Sequence, residues 1–299
     1  MIIPSGSYNS PPTQFLRREA VTLAGSPNSS KGTRNPNFRE ETVLRIIPVL
    51  DVKQGRVVQA IAGQRQAYQP IRSGLTSSTD PVEMARVLRD RTEAKELYVA
   101  DLDAILARTP PSQTVVRLIE SQPGRIWLDA GFSQLPKPEN QGQPIRYRPI
   151  LSLERLGLTW DGLPDTASMT LPPVAGIADD HPGPSSGQCR PIFSLDLYGE
   201  SFWINGQPAG LFSEMSLQRL LDQIDLAGFR TLIVLDLQRV GTRSGPGSVP
   251  ICRWIARHWP RLELIAGGGI RDRDDLNRLN DAGVAGVLVA TALHEGRLP

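Results

Sequence analysis

The sequence predicts an α/β fold, a (β/α)8 TIM barrel assembled from two half-barrel repeats. Three observations predict it. Four short apolar segments of the first half recur in the same order in the second, with equivalent positions 145, 135, 138 and 138 residues apart. Each segment is apolar nearly throughout, the pattern of a parallel strand buried on both faces. Helix signals lie between several of them, and eight βα units in roughly 250 residues is the usual size of such a barrel. A doubly wound open sheet shares the βα alternation, but no G-x-G-x-x-G follows the first strand here, and two four-strand halves close naturally into eight.

Residues 1–42 are rich in Ser, Pro, Asn, Thr and Gly without a sustained hydrophobic period, which predicts a disordered N-terminal arm before a barrel over 43–299. Strand one is Pro48-Val49-Leu50-Asp51-Val52, echoed in strand five by Phe193-Ser194-Leu195-Asp196-Leu197. Strand two, Leu97–Leu102, is echoed by Leu232–Leu237 in strand six. Strand three, Ile126–Phe132, has its counterpart in Leu264–Ile270, and strand four, Ile150-Leu151-Ser152, in Leu288-Val289-Ala290.

Between strands, Asp80-Pro81-Val82-Glu83 places a cap, a first-position proline and an acid ahead of an apolar run. Ser216–Leu221 and Asp272–Leu279 also read as helices. The third connection contains Pro136, Pro138, Pro144 and Pro149, and the fourth, 157–190, is again rich in Pro, Gly, Ser and Asp; both are expected to be irregular. The half-barrels therefore span about 43–156 and 191–299.

Bulk properties exclude several functions. A net charge of +2 gives no electrostatic reason to bind nucleic acid. The absence of a long apolar run argues against a membrane span, and the absence of an h-region argues against a secretory signal. Cys189 and Cys252 form no metal-ligand pattern and suggest a reducing, cytoplasmic setting. His181, His258 and His294 lie outside the repeated segments, so no metal, cofactor or imidazole chemistry is expected, and the barrel is read as a monomer or small homo-oligomer.

Active sites of this fold sit at the carboxyl ends of the strands. Asp51, Asp101, Asp103, Asp129, Asp196 and Asp236 all end apolar runs there. Single acids of this kind are often helix caps, but Asp51 and Asp196 repeat between halves, and strands one and five lie on opposite sides of an eight-strand barrel. Two opposed carboxyls can donate a proton on one side of a substrate and remove one on the other, each role being worth about 10²–10⁴ in rate. Gly267-Gly268-Gly269, opening a helix after strand seven, and Ala290-Thr291 after strand eight form a candidate phosphate cradle. Gly241–Gly247, with Thr242 and Gly245, is a polar loop placed to close over it, and Asp101 and Asp236 are candidate substrate contacts. Lys53 shares the strand parity of Asp51, which leaves open a Schiff-base role beside a phosphate-steering one.

These residues resemble the ProFAR isomerase of histidine biosynthesis and its cyclase sister, over about 44–105 and 191–298. Ile47–Val58 resembles the opening motif whose aspartate is the general base, and Ser194-Leu195-Asp196 the segment that supplies the general acid. Ala266–Ile270 and Ala290-Thr291 match the second phosphate site. The resemblance implies an aldose–ketose isomerase that needs no cofactor and acts on a phosphorylated small molecule.

The departures are equally specific. Val240 stands where the sixth-strand signature has an aspartate. At the first phosphate site the turns read Asp129-Ala130-Gly131-Phe132 and Ser152-Leu153-Glu154, with bulk and negative charge where a dianion should bind. These features, with the stretch from Ala60 to Ser78, resemble a divergent branch associated with tetrahydromethanopterin-linked one-carbon metabolism. They imply a substrate with a single phosphate, other than that of the histidine pathway. Two further functions stay open: a Lys53 Schiff-base synthase or aldolase, and a non-catalytic phosphometabolite-binding protein.

Overall fold

A computed structural model describes residues 44–122, 125–136, 145–155, 171 and 190–299. The predicted arm at 1–42, the middle of the third connection, nearly all of the 157–190 loop, Cys189 and His181 lie outside the described residues.

Eight parallel strands form the barrel: β1 (Arg45–Lys53), β2 (Glu96–Asp101), β3 (Arg125–Phe132), β4 (Tyr147–Ser152), β5 (Ile192–Tyr198), β6 (Thr231–Asp236), β7 (Glu263–Gly267) and β8 (Gly286–Val289). Each pairs in parallel with the next, and β8 closes on β1 with Arg45 opposite Gly286. The (β/α)8 barrel predicted from the repeat is the observed fold. Its interior is a continuous apolar cluster that includes Ile47, Tyr98, Trp127, Ile150, Ile192, Ile233, Ile265 and Leu288.

The repeat also extends beyond the barrel. A short strand, Arg56–Gln59, folds back antiparallel on β1, and another, Ser201–Ile204, does the same on β5. Positive φ at Gln54 and Gly55 makes the first turn, and Gly199 helps make the second. These two hairpins are the half-barrel symmetry made visible outside the strands.

Seven helices are described: α1 (Pro81–Thr92), α2 (Leu102–Ala107), α3 (Gln113–Ser121), α4 (Glu214–Leu226), α5 (Val249–His258), α6 (Arg273–Asn280) and α7 (Thr291–His294). The cap read at Asp80 is present, its carboxylate accepting from the Val82 and Glu83 amides at 3.0 Å each. Asp272 caps α6 through the Asp275 amide. The helix read from Ser216 begins two residues earlier, because Ser213 and Ser216 cap one another reciprocally. After β4 the described residues hold only a 3₁₀ turn, Leu153–Arg155.

The amino ends of the strands are tied by charge. Arg45 pairs with Glu96 at 2.9 Å and with Glu263 at 2.6 Å. Thr231 donates to Glu263, Arg148 donates to Thr231, and the Arg148 guanidinium lies 5.2 Å over the Trp127 ring. This end is locked, which leaves the carboxyl end for chemistry.

Candidate active site

Strand register decides which acids face inward. Asp51 on β1, Ala100 on β2 and Asp129 on β3 lie in one row of the barrel wall, and Asp196 on β5, Leu235 on β6 and Gly267 on β7 lie in another. Because alternate residues face opposite sides of a strand, Asp51 shares the inward parity of Ile47 and Val49, and Asp196 that of Ile192. Ala100, lacking bulk between Asp51 and Asp129, leaves room at that wall.

A cavity opens here. Asp51, Asp129, Glu154 and Asp196 line one part of it, and Gly268, Gly269, Ala290 and Thr291 another. The loops after β1 and β6 supply Arg65, Tyr68, Gly241 and Arg243. These two loops are joined across the mouth, the Ala62 amide donating to the Val240 carbonyl at 2.9 Å. A side chain at Gly241 would place its Cβ 2.1 Å from the Ala60 carbonyl oxygen, so only glycine permits the approach.

Burial dominates the acid chemistry. It pushes the Asp51 carboxyl up from 3.8 to about 7, with Arg65 pulling it down and Asp129 adding to the rise. Asp196 is held well above the usual carboxylate range by burial and then by Glu154, against the hydrogen bond from Ser194 Oγ to Asp196 Oδ1 at 2.7 Å. Asp129 is also raised, chiefly by burial, although it accepts from the Gly131 amide at 3.0 Å and from the Tyr98 hydroxyl at 3.3 Å.

Arg65 is the residue the sequence reading passed over. It lies in the 3₁₀ turn Arg65–Ala67 and donates to Glu154 through two parallel bonds of 2.7 and 2.6 Å. Lys53 supports it from below, its ammonium donating to the Arg65 carbonyl at 2.8 Å. Lys53 itself does not line the cavity.

The glycine turn after β7 is built for close approach. Gly268 and Gly269 have φ of 102° and 81°, and a Cβ on either would come within 2.3 Å of the Asp236 carbonyl or 2.6 Å of the Gly245 carbonyl. Gly267 lies just below, where a Cβ would meet Leu235 at 2.8 Å. Gly245 braces the turn, its amide donating to the Gly269 carbonyl at 3.1 Å.

The remaining predicted contacts stand behind these walls. Asp101 is fully buried with outward parity, accepting from the Ala104 and Ser112 amides at 3.2 and 2.6 Å and so fixing the helices after β2. Asp236 accepts from the Gly199 amide and lies 3.6 Å from the Arg239 guanidinium. The Thr242 hydroxyl donates to the Arg239 carbonyl at 2.8 Å, stiffening the loop whose neighbours Gly241 and Arg243 reach the cavity.

A family profile described as histidine biosynthesis protein matches residues 45–140 and 185–299, which in this chain hold the inward aspartates on β1 and β5 and the glycine turn after β7. The chain belongs to this histidine biosynthesis protein family. A Thermus thermophilus relative, 32% identical over 85% of this chain and 96% of its own length, is 1-(5-phosphoribosyl)-5-((5-phosphoribosylamino)methylideneamino)imidazole-4-carboxamide isomerase, that is, ProFAR isomerase. A ProFAR isomerase of Salinibacter ruber is 26% identical over 85% of this chain and 90% of its own. An uncharacterized protein of Methanocaldococcus jannaschii is equally similar, 26% identical over 85% of this chain and 95% of its own. The family match skips 141–184, which holds β4 and most of the predicted fourth connection, 157–190.

Proposed function

We propose that this family member is an aldose–ketose isomerase of the Amadori type acting on a phosphorylated sugar or sugar-amine. The observation that carries the reading is the pairing of Asp51 and Asp196, two carboxyls from strands on opposite sides of the barrel, in one cavity with the glycine turn. Both have raised pKa values, as proton-transfer groups near neutrality require. Gly268, Gly269, Ala290 and Thr291 hold the phosphate, with Gly267 and Gly245 supporting the turn. Lys53, Asp101, Asp236 and Thr242 serve the site by holding its walls.

Protonated Asp196 gives its proton to the ring oxygen as the C1–O bond breaks, and the nitrogen lone pair forms the C1=N bond. Ionised Asp51 then removes the C2 proton, the electrons forming C1=C2 and neutralising nitrogen. The resulting enaminol takes a proton at C1 from Asp51 and loses its hydroxyl proton to Asp196, so both acids return to their starting states. The reaction is internally balanced and needs no external oxidant or reductant. Activity should rise with pH toward about 7 as Asp51 ionises.

With the true substrate, Asp51→Asn and Asp196→Asn should each lower kcat by about 10²–10⁴ while the folded protein persists. A turnover rate unchanged by either variant would sink the reading, and binding without any turnover would favour a metabolite-binding role. The site's departures at Asp129, Glu154 and Val240 support a substrate other than that of the histidine pathway. Expression in a histidine auxotroph lacking ProFAR isomerase is accordingly expected to give no more than weak rescue.

A further inference from the structure

Two guanidinium groups line the cavity, and they are not equally committed. Arg65 is bound to Glu154 at the acidic wall by two parallel bonds, and both partners are mostly buried. Arg243 is anchored at the other end. It lies two residues before Gly245, whose amide donates to the Gly269 carbonyl, and its guanidinium pairs with Glu295 just past α7, the helix that Thr291 begins. The cation nearest the glycine turn is therefore the one held from the rim.

That anchor is built to be let go. The Arg243 side chain is 60% exposed, and ion pairs so open to solvent contribute little. Arg243 takes only Oε1 of Glu295, while Arg297 holds Oε2 at 2.8 Å through Nε and at 2.5 Å through its terminal nitrogen. Glu295 keeps a cation when Arg243 leaves. The departure strands no charge.

The backbone beneath Arg243 stays in place. Its φ is 58°, a left-handed conformation uncommon for a residue with a Cβ, and the residues on either side hold it there. The Thr242 hydroxyl donates to the Arg239 carbonyl, the Thr242 and Ser244 hydroxyls lie 2.7 Å apart, and Arg239 donates to the Ser244 carbonyl at 3.1 Å. Only the side chain needs to turn.

A phosphate gives it reason to turn. Backbone amides at the glycine turn bring dipoles but no net charge, and Asp51, Asp129, Glu154 and Asp196 line the same cavity. A guanidinium fork matches two phosphate oxygens and gains more from a dianion than from one exposed carboxylate oxygen.

We propose that Arg243 is an exchangeable phosphate ligand, which rests on Glu295 and turns to the phosphate at the β7–β8 turns, leaving Glu295 to Arg297. The inference rests on the phosphate assignment made above and adds the residue that supplies the countercharge. It also makes Glu295 a built-in competitor that lowers phosphate affinity.

The test titrates the full chain calorimetrically with inorganic phosphate at pH 7, in the parent, Arg243→Ala, Glu295→Gln and the double variant. Arg243→Ala should weaken binding at least about tenfold, and Glu295→Gln should strengthen it about two- to fivefold by freeing the arginine. The double variant should bind within about twofold of Arg243→Ala, because the glutamate competes only through the arginine. A parent that binds phosphate, with Arg243→Ala within about twofold of it, would overturn the exchange and leave the phosphate assignment standing. So would a Glu295→Gln gain that survives in the double variant, which is the mark of a nearby charge rather than a competitor. A parent that binds no phosphate would overturn the phosphate assignment, and the exchange with it.

Discussion

The corner between β3 and β4 and the corner between β7 and β8 occupy equivalent places in the two half-barrels, 138 residues apart, and differ in charge. After β7 the chain reads Gly267-Gly268-Gly269, leaving a bare turn. After β3 the equivalent positions are Asp129-Ala130-Gly131, and the Gly131 amide is donated to the Asp129 carboxylate at 3.0 Å. Glu154, which corresponds to Ala292, holds Arg65. Two acids, Asp129 and Glu154, stand where the other corner has Gly267 and Ala292, and the lesson is that two differences within a repeat are enough to give equivalent corners different charge.

The largest expected effect comes from breaking the acidic corner's internal pairing. Arg65→Ala leaves Glu154 buried and alone, which should cost about 3–5 kcal/mol of stability, read by chemical denaturation. Glu154→Gln in the same background should restore part of that loss, because it removes the orphaned charge. If Arg65→Ala costs nothing, the acidic corner is not organised by this pair.

A smaller effect sharpens the same contrast. Asp51 has its folded pKa raised above the unfolded value, so its contribution to stability is present below about pH 3.8 and is lost as pH rises toward about 7. That rise corresponds to no more than about 4 kcal/mol, less where solvent screens the group. Asp51→Asn removes the penalty. The variant should melt several degrees above the parent at pH 8 and close to it at pH 4, while losing activity. Equal melting temperatures at pH 8 would mean that Asp51 is not strained by its surroundings.

The barrel was legible in the sequence because its strands are buried on both faces and read as unbroken apolar runs, and because the halves repeat. The helices at Asp80 and Asp272 were legible from their caps. At the site, Asp51 and Asp196 stood out by recurring, and the glycine turn by its position after β7. Asp101 and Asp236 were harder to place, since both end a strand as a catalytic acid would. The usable signal was parity: each follows an inward residue, Ala100 or Leu235, and so faces the helices. Arg65 carried no signal of this kind. It lies in a non-repeating loop, and its partner Glu154 is 89 residues away, a distance that only the folded barrel closes.

The central claim, one phosphate held at the β7–β8 corner and none at β3–β4, is tested most directly by calorimetric titration with inorganic phosphate of the parent, Thr291→Glu and Phe132→Glu. Thr291 begins α7, where an acid suits the helix, so that variant should fold. One phosphate per chain is expected in the parent, with affinity falling at least about tenfold in Thr291→Glu and changing less than about threefold in Phe132→Glu. Two phosphates per chain, or a loss in Phe132→Glu with none in Thr291→Glu, would contradict the account.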